Sequence, residues 1–175
     1  MPIGHFRFIY GSCLDIASRW KKLPTAAAGT PLALRGIKRF YILVEELQAN
    51  AKNVDLSDKD IEGAVELRML EAGVKLATRD EWLHSQPGTV SLYVNLNSVA
   101  TTNAPLLAYH LEVQVQSDGV FTHGGRQTKV FGATVWRRFS TGFVGTSIAK
   151  ENIISNVREQ VERFLLDYLK ANPKN

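Results

Sequence analysis

Four histidines and one adjacent pair of glutamates are the residues whose side chains could do catalytic or metal chemistry. A zinc-binding helix needs the pattern H-E-x-x-H, because side chains at i and i+4 share one helix face. No such pair exists among His5, His84, His110 and His123. Glu45 and Glu46 are neighbours on a predicted strand, so their carboxylates point to opposite faces and cannot act on one bond. These residues predict neither a metal site nor an acid–base pair.

Motifs for nucleophilic catalysis and for phosphate binding are also missing from the sequence. It contains no G-x-S-x-G elbow and no G-x-x-x-x-G-K-[ST] loop. The run His123-Gly124-Gly125-Arg126 combines two glycines with a basic residue and is either an anion-holding turn or, as we favour, a hairpin turn. The sequence therefore predicts no catalytic residue and no cofactor.

A polar row is the most distinctive feature of two predicted strands. Apolar residues alternate with polar ones in residues 91–99 and again in 109–116. Because successive strand residues point to opposite faces, the polar set forms a second face of the sheet. That face either contacts only water or serves as a platform for a partner or ligand. Its candidate partner-binding residues are Tyr93, Asn95, Asn97, His110, Glu112, Gln114 and Gln116.

Two amphipathic helices are predicted to cover the apolar face of this sheet. The first begins after Ser57, which forms a capping box with Asp60, and ends before Gly73. The second spans residues 148–171, with an apolar stripe and a charged opposite face. Strands are expected at 40–47, 74–78 and 129–139, with a turn at Asp118-Gly119 and breaks at Gly142 and Gly145.

These elements predict an α+β fold. We expect a two-layer sandwich, with a mostly antiparallel sheet of four to five strands and two helices on one face. A chain of 175 residues fits one such domain, which we place at residues 35–175. No stretch approaches the roughly 18 apolar residues of a membrane span.

Charge is concentrated at the start of the chain. The net charge is +4, yet residues 1–40 hold seven basic residues against Asp15 alone, so the remaining body is close to neutral. A nucleic-acid-binding protein usually spreads its basic residues over one face of the folded body. The charge pattern therefore argues against a nucleic-acid partner.

Residues 1–34 are predicted to be a leader-like or irregular segment. Ala26 and Ala28 fit an A-x-A cleavage site, but charged residues interrupt the apolar stretch that a signal peptide needs. The alternative is a short irregular helix over residues 13–22 that packs on the domain. Cys13, the single cysteine, is either a lipid-attachment site or, as we favour, a plain thiol.

Several segments carry a resemblance to known proteins, namely 34–36 with 41–47, 65–68 with 71–74, 92–95, 133–136 and 164–173. Together they resemble a family of uncharacterised bacterial proteins made with an export signal. The resemblance covers about residues 34–174 and implies a periplasmic or secreted location. The alternative is a cytoplasmic location, because charged residues interrupt the apolar stretch of the leader. At the level of fold, the predicted architecture is similar to the lipopolysaccharide-assembly lipoprotein of the outer membrane and to the amino-terminal domain of the Tol translocation protein.

We therefore expect a non-enzymatic binding or assembly module of the bacterial cell envelope, which acts through the polar face or an edge of the sheet. Its partner would be a protein or another envelope component, and its oligomeric state is open. The first alternative is a small hydrolase, which predicts a deep pocket with a titratable pair of displaced pKa. The second is a nucleic-acid-binding αβ platform, which predicts steep salt dependence.

Overall fold

Five strands form one mixed sheet in the computed structural model, which describes residues 31–84, 88–101 and 103–173. Their order across the sheet is β2-β1-β3-β4-β5. β1 runs parallel to β2 and β3, whereas the two longest pairings, β3 with β4 and β4 with β5, are antiparallel. The strands are β1 Arg39–Val44, β2 Lys75–Leu76, β3 Thr89–Ala100, β4 Leu106–His123 and β5 Arg126–Gly145.

Four α-helices and two short 3₁₀ turns are present in the same part of the chain. The capping box predicted at Ser57 is confirmed, since Ser57 accepts from the amide of Asp60 and its own amide donates to the Asp60 carboxylate. Gly73 follows this helix with a φ of 71°, in the left-handed region that glycine adopts freely. The helices are α1 Ala49–Lys52, α2 Asp58–Glu71, α3 Arg79–Leu83 and α4 Ala149–Ala171, and the 3₁₀ turns are Pro31–Leu34 and Thr146–Ile148.

The core lies between the sheet and the two long helices. α2 and α4 contact each other and pack on the same side of the sheet, so the predicted two-layer α+β sandwich is confirmed. Phe164 of α4 meets Phe40 edge-to-face at 5.3 Å between ring centroids and Trp136 at 5.2 Å. The helix side chains in the core include Ile61, Val65, Met69, Ile153, Val157, Val161, Phe164 and Leu165.

A short helix that the sequence analysis did not predict lies between β2 and β3. α3 begins after Thr78, whose hydroxyl accepts from the amide of Glu81, and the Glu81 carboxylate accepts from the amide of Thr78. This is the same capping box that begins α2. β2 is correspondingly shorter than the predicted strand at 74–78, because Thr78 is used as a cap.

β4 and β5 form a hairpin that extends well past the end of β3. β3 pairs with β4 only as far as Ser91 opposite Gln116. The remaining ribbon, Ser117–Ala133, is called the β-arm here, and it reaches about 20 Å at 3.4 Å per residue. Its turn lies at Gly124 and Gly125, with φ of 56° and 76°, so the predicted hairpin turn is confirmed.

The turn predicted at Asp118-Gly119 is wrong, because these residues form an irregularity inside β4. The register shifts between Ser117 and Gly119, and the Asp118 carboxylate accepts from the amide of Gly132 at 2.9 Å. Asp118 thus uses its turn-forming hydrogen bond to cap a bulge in the facing strand.

The strand break predicted at Gly142 is also wrong, because β5 runs on to Gly145. A Cβ at position 142 would lie 2.8 Å from Cζ of Tyr109 in the adjacent strand. Glycine is therefore used here for close approach between strands and not for a turn.

The chain enters the described fold beside the end of α4. Leu34 is buried in the core, and Asn172 donates to its carbonyl oxygen at 2.9 Å. The Tyr168 hydroxyl donates to the carbonyl of Ile37 at 3.0 Å. The A-x-A pattern, Cys13 and the alternative helix at 13–22 lie outside the described residues. Within those residues, no helix is long and apolar enough to cross a membrane.

Candidate functional site

All seven residues predicted to bind a partner lie on one face of the sheet, opposite α2 and α4. We call this side the open face. The register places Tyr93 opposite Gln114, Asn95 opposite Glu112, and Asn97 opposite His110. Tyr109, the first residue of the alternating run 109–116, lies on the helix side, where its hydroxyl accepts from the Asn156 amide at 3.0 Å. The structure therefore brings the candidate residues together, and their role in binding stays a prediction.

The amide side chains of the open face hydrogen-bond to one another. Gln114 accepts from Gln116 at 3.2 Å and from Thr134 of β5 at 2.9 Å. On β3, Asn97 donates to Asn95 at 3.0 Å and accepts from Gln48 at 3.1 Å. Because these hydrogen bonds fix the side-chain directions, the polar centre of the face is ordered before any partner arrives.

Charged groups flank this amide network. Tyr93 donates a short hydrogen bond to the carboxylate of Glu45. Burial, followed by that hydrogen bond and the negative charges of Glu45 and Glu112, raises the pKa of Tyr93 to about 12. Glu112 is itself paired with Arg137 of β5 at 3.6 Å. Tyr93 is therefore a neutral hydrogen-bonded group throughout the physiological pH range.

One end of the open face is apolar, which the sequence analysis did not find. Val99, Ala108 and Phe143 lie in one row across β3, β4 and β5. Phe143 is 79% exposed and Val99 is 66% exposed. Phe139 lies on the same face of β5, two positions before Thr141, and is 45% exposed. Its ring is tilted against that of His110, with 5.6 Å between the ring centroids. The sequence signal for this apolar end was the alternation within residues 137–143. The strand break predicted at Gly142 interrupted that alternation, so the signal was missed.

The opposite corner of the open face is covered by α3. Trp82 stacks on Tyr41 of β1 with 4.8 Å between ring centroids. Arg39 and Glu81 form an ion pair that fastens the same helix to the same strand. Ser91, at this end of β3, is only 3% exposed. The exposed part of the open face therefore runs from the amide network to Phe143.

A cleft of about 630 Å³ lies where α3, the start of β3 and the base of the β-arm meet. Its apolar lining includes Trp82, Val90 and Phe131, and its charged lining among the described residues consists of Arg35 and Asp118. The Asp118 carboxylate is engaged by the Gly132 amide. Tyr93, whose pKa is strongly raised, lies outside this cleft. Among the described residues, the lining of the cleft thus contains one guanidinium and one carboxylate.

The three histidines within the described residues lie on different parts of the fold. His84 contacts the carbonyl of Asp80 at 2.7 Å within α3, His110 lies on the open face, and His123 is at the tip of the β-arm. His5 lies outside the described residues. Across the part of the chain that the structure describes, no three His, Cys, Asp or Glu side chains are grouped to hold a metal ion.

Comparison with known proteins gives a likeness of fold. No family model matches the chain, and no curated protein matches it. Among solved structures it is similar to a PelC dodecamer from Paraburkholderia phytofirmans in space group P6, with 14% identity and a TM-score of 0.48 over 79% of this chain and 93% of that chain. It is also similar to a methionine variant of that dodecamer in space group C2, with 12% identity and a TM-score of 0.47 over 79% of this chain and 91% of that chain.

Proposed function

We propose that this protein is a non-enzymatic binding module that holds a partner protein on the open face of its sheet. The observation that carries the proposal is the exposed apolar row of Val99, Ala108 and Phe143 beside an ordered polar centre. Protein interfaces combine an aromatic, apolar core with a polar, hydrogen-bonded rim. The open face has both parts side by side on one rigid sheet.

The aromatic side chains are the expected anchors of this contact. A phenylalanine as exposed as Phe143 loses most of its contact with water when a partner covers it, which is worth about 1.5–3 kcal/mol. Asn97, Thr141 and His110 lie in the adjoining row and would supply the hydrogen bonds that fix the partner's orientation. The polar residues then determine specificity more than affinity.

Photo-crosslinking in cells tests the open face directly. We would place benzoylphenylalanine at Thr141, between the two exposed phenylalanines, and at Glu159 on the exposed side of α4 as a matched control. The expected result is one defined covalent adduct from position 141 and none from position 159. Phe143→Ser should reduce the adduct at least about fivefold, since an interface anchor contributes more than about 1 kcal/mol. Equal adducts from both positions, or an adduct indifferent to Phe143, would contradict the proposal.

The proposed location is the bacterial cell envelope, which is what the resemblance to exported bacterial proteins implies. Mass spectrometry of the native protein from fractionated cells tests it. Recovery in the periplasmic or membrane fraction, with a start near Gly29, is the expected result. An intact Met1 in a purely cytosolic protein would overturn the envelope location while leaving the open-face contact to be decided by cross-linking.

A further inference from the structure

Among the described residues, no strand lies beside the outer edge of β5, and the 3₁₀ turn Pro31–Leu34 contacts this strand without pairing with it. β5 pairs with β4 on one side, and on its other side no described segment forms a backbone hydrogen bond with it. The edge strand at the opposite side of the sheet, β2, has only two residues. An exposed edge of this length carries a row of N–H and C=O groups that can accept an added strand.

The charged side chains of β5 are all positive. Its twenty residues include four basic side chains and no acidic one. Arg137 is paired with Glu112 across the strands at 3.6 Å. In the described residues, none of the other three has a carboxylate within 4.0 Å. The basic set is Arg126, Lys129, Arg137 and Arg138. A negatively charged partner is therefore the one that complements this edge.

Arg138 adds an observation independent of net charge. It lies on the helix side of β5, between Trp136 and Ser140, and its Nε is buried without a hydrogen-bond partner among the described residues. A buried donor left in this state is costly, and a carboxylate is the acceptor that a guanidinium binds best. Because Arg137 points to the open face, the edge offers one guanidinium on each face of the strand.

We propose that β5, between Thr134 and Val144, binds an extended acidic segment of a partner protein as an added strand. Backbone hydrogen bonds along the edge provide affinity, and carboxylates that reach Arg137 and Arg138 provide selectivity. This site uses the backbone edge of β5, whereas the contact proposed above uses side chains of the open face, including Phe139, Thr141 and Phe143 of the same strand.

Two other occupants are disfavoured by the same residues. A second copy of this chain would bring two basic strands together, and like charges across a strand pair are destabilising. A nucleic acid would satisfy the arginines but has no alternating N–H and C=O groups with which to extend the sheet. An acidic peptide satisfies both the charge and the backbone.

Fluorescence anisotropy with designed peptides tests the proposal on the full chain. The probe is a fluorescein-labelled ten-residue peptide in which Glu alternates with Val and Thr. One control replaces every Glu by Lys, and two others carry backbone N-methyl groups at alternate residues along one edge or the other. We expect the acidic peptide to bind about tenfold more tightly than the lysine peptide. N-methylation along one edge of the acidic peptide should abolish its higher affinity. Amide hydrogen exchange at residues 134–144 of the protein should slow when the unmethylated acidic peptide is bound.

Variants separate this edge from general charge attraction. Arg138→Gln should weaken the acidic peptide about tenfold, and Arg137→Gln provides a second test if the first variant does not fold. Lys59→Gln, which removes an exposed cation from α2, should leave binding unchanged. The proposal is overturned by equal affinity for acidic and basic peptides, by indifference to N-methylation, by preferred binding of a ten-nucleotide oligothymidine, or by self-association through β5.

Discussion

Replacement of Gly142 by alanine tests the packing that holds β5 in place. The new Cβ would lie 2.8 Å from both Cζ and the hydroxyl oxygen of Tyr109, and 2.9 Å from Cε1. The phenol ring must therefore move. That movement breaks the hydrogen bond from Asn156 to the Tyr109 hydroxyl, which is 3.0 Å long. Asn156 in turn accepts from Ser140 at 2.8 Å, so one methyl group disturbs a network that joins α4 to the sheet.

The expected loss of stability follows from three contributions. Overpacking of this kind costs about 1–3 kcal/mol, and the lost hydrogen bond costs about 0.5–1.5 kcal/mol. Gly142 has no left-handed φ, so alanine regains about 0.4–1 kcal/mol by restricting the unfolded chain. We therefore expect Gly142→Ala to lower the free energy of unfolding by about 2 kcal/mol. At about 2–4 °C per kcal/mol for a protein of this size, the melting temperature falls by roughly 4–8 °C.

Urea denaturation followed by circular dichroism measures this change, and a double-mutant cycle assigns it. In a Tyr109→Ala background the ring is gone, so Gly142→Ala should cost less than about 0.5 kcal/mol. The reasoning would be refuted if the Gly142→Ala variant had the same free energy of unfolding as the parent protein. A full loss that persists in the Tyr109→Ala background would also refute it, since the cost would then not come from this contact.

Three further changes have defined outcomes. Ser57→Ala removes the cap of α2 and should cost about 1 kcal/mol in urea denaturation at pH 7. Because hydrogen bonds from Ser57 lower the pKa of Asp60, this difference should shrink as the pH falls below about 4 and the carboxylate is protonated. The raised pKa of Tyr93 stabilises the fold below pH 10, and about 1–2 kcal/mol of that is lost as the pH rises toward 12. Stability curves of Tyr93→Phe should lack this alkaline decrease. Ile153→Ala, at a fully buried position, should cost about 2–5 kcal/mol by thermal melting, whereas Ile148→Ala, at a 54% exposed one, should cost less than about 0.5.

The sequence predicted those features of the fold that depend on local periodicity. The cap at Ser57, the left-handed Gly73 and the apolar stripe of α4 each follow from side chains a few residues apart, and all are confirmed. The alternation in β3 and β4 likewise placed the seven polar residues on one face. Such patterns depend only on residues that are close together along the chain. A single sequence therefore contains the information needed to predict them.

Features that depend on contacts between distant residues were not predicted. Gly142 was interpreted as a strand break because its real constraint, the ring of Tyr109, comes from another strand. Asp118-Gly119 was interpreted as a turn because its acceptor role toward Gly132 exists only once the hairpin has formed. The first error shortened the predicted β5 and so hid Phe143 from the candidate site, and the second interrupted the predicted β4.

The side chain of Asn172 links the two ends of the described fold by hydrogen bonds. Its amide nitrogen donates to the carbonyl of Leu34 at 2.9 Å, while its Oδ1 accepts from the amide of Gly36 at 2.8 Å. The first and last described segments are therefore neighbours in space. A shortened protein of residues 31–173 could be joined there by a linker and reopened at Gly124, where a cut in the exposed hairpin tip disturbs no core packing. A circular permutant of this design would keep every strand pairing of the sheet while moving both chain ends to the far tip of the molecule.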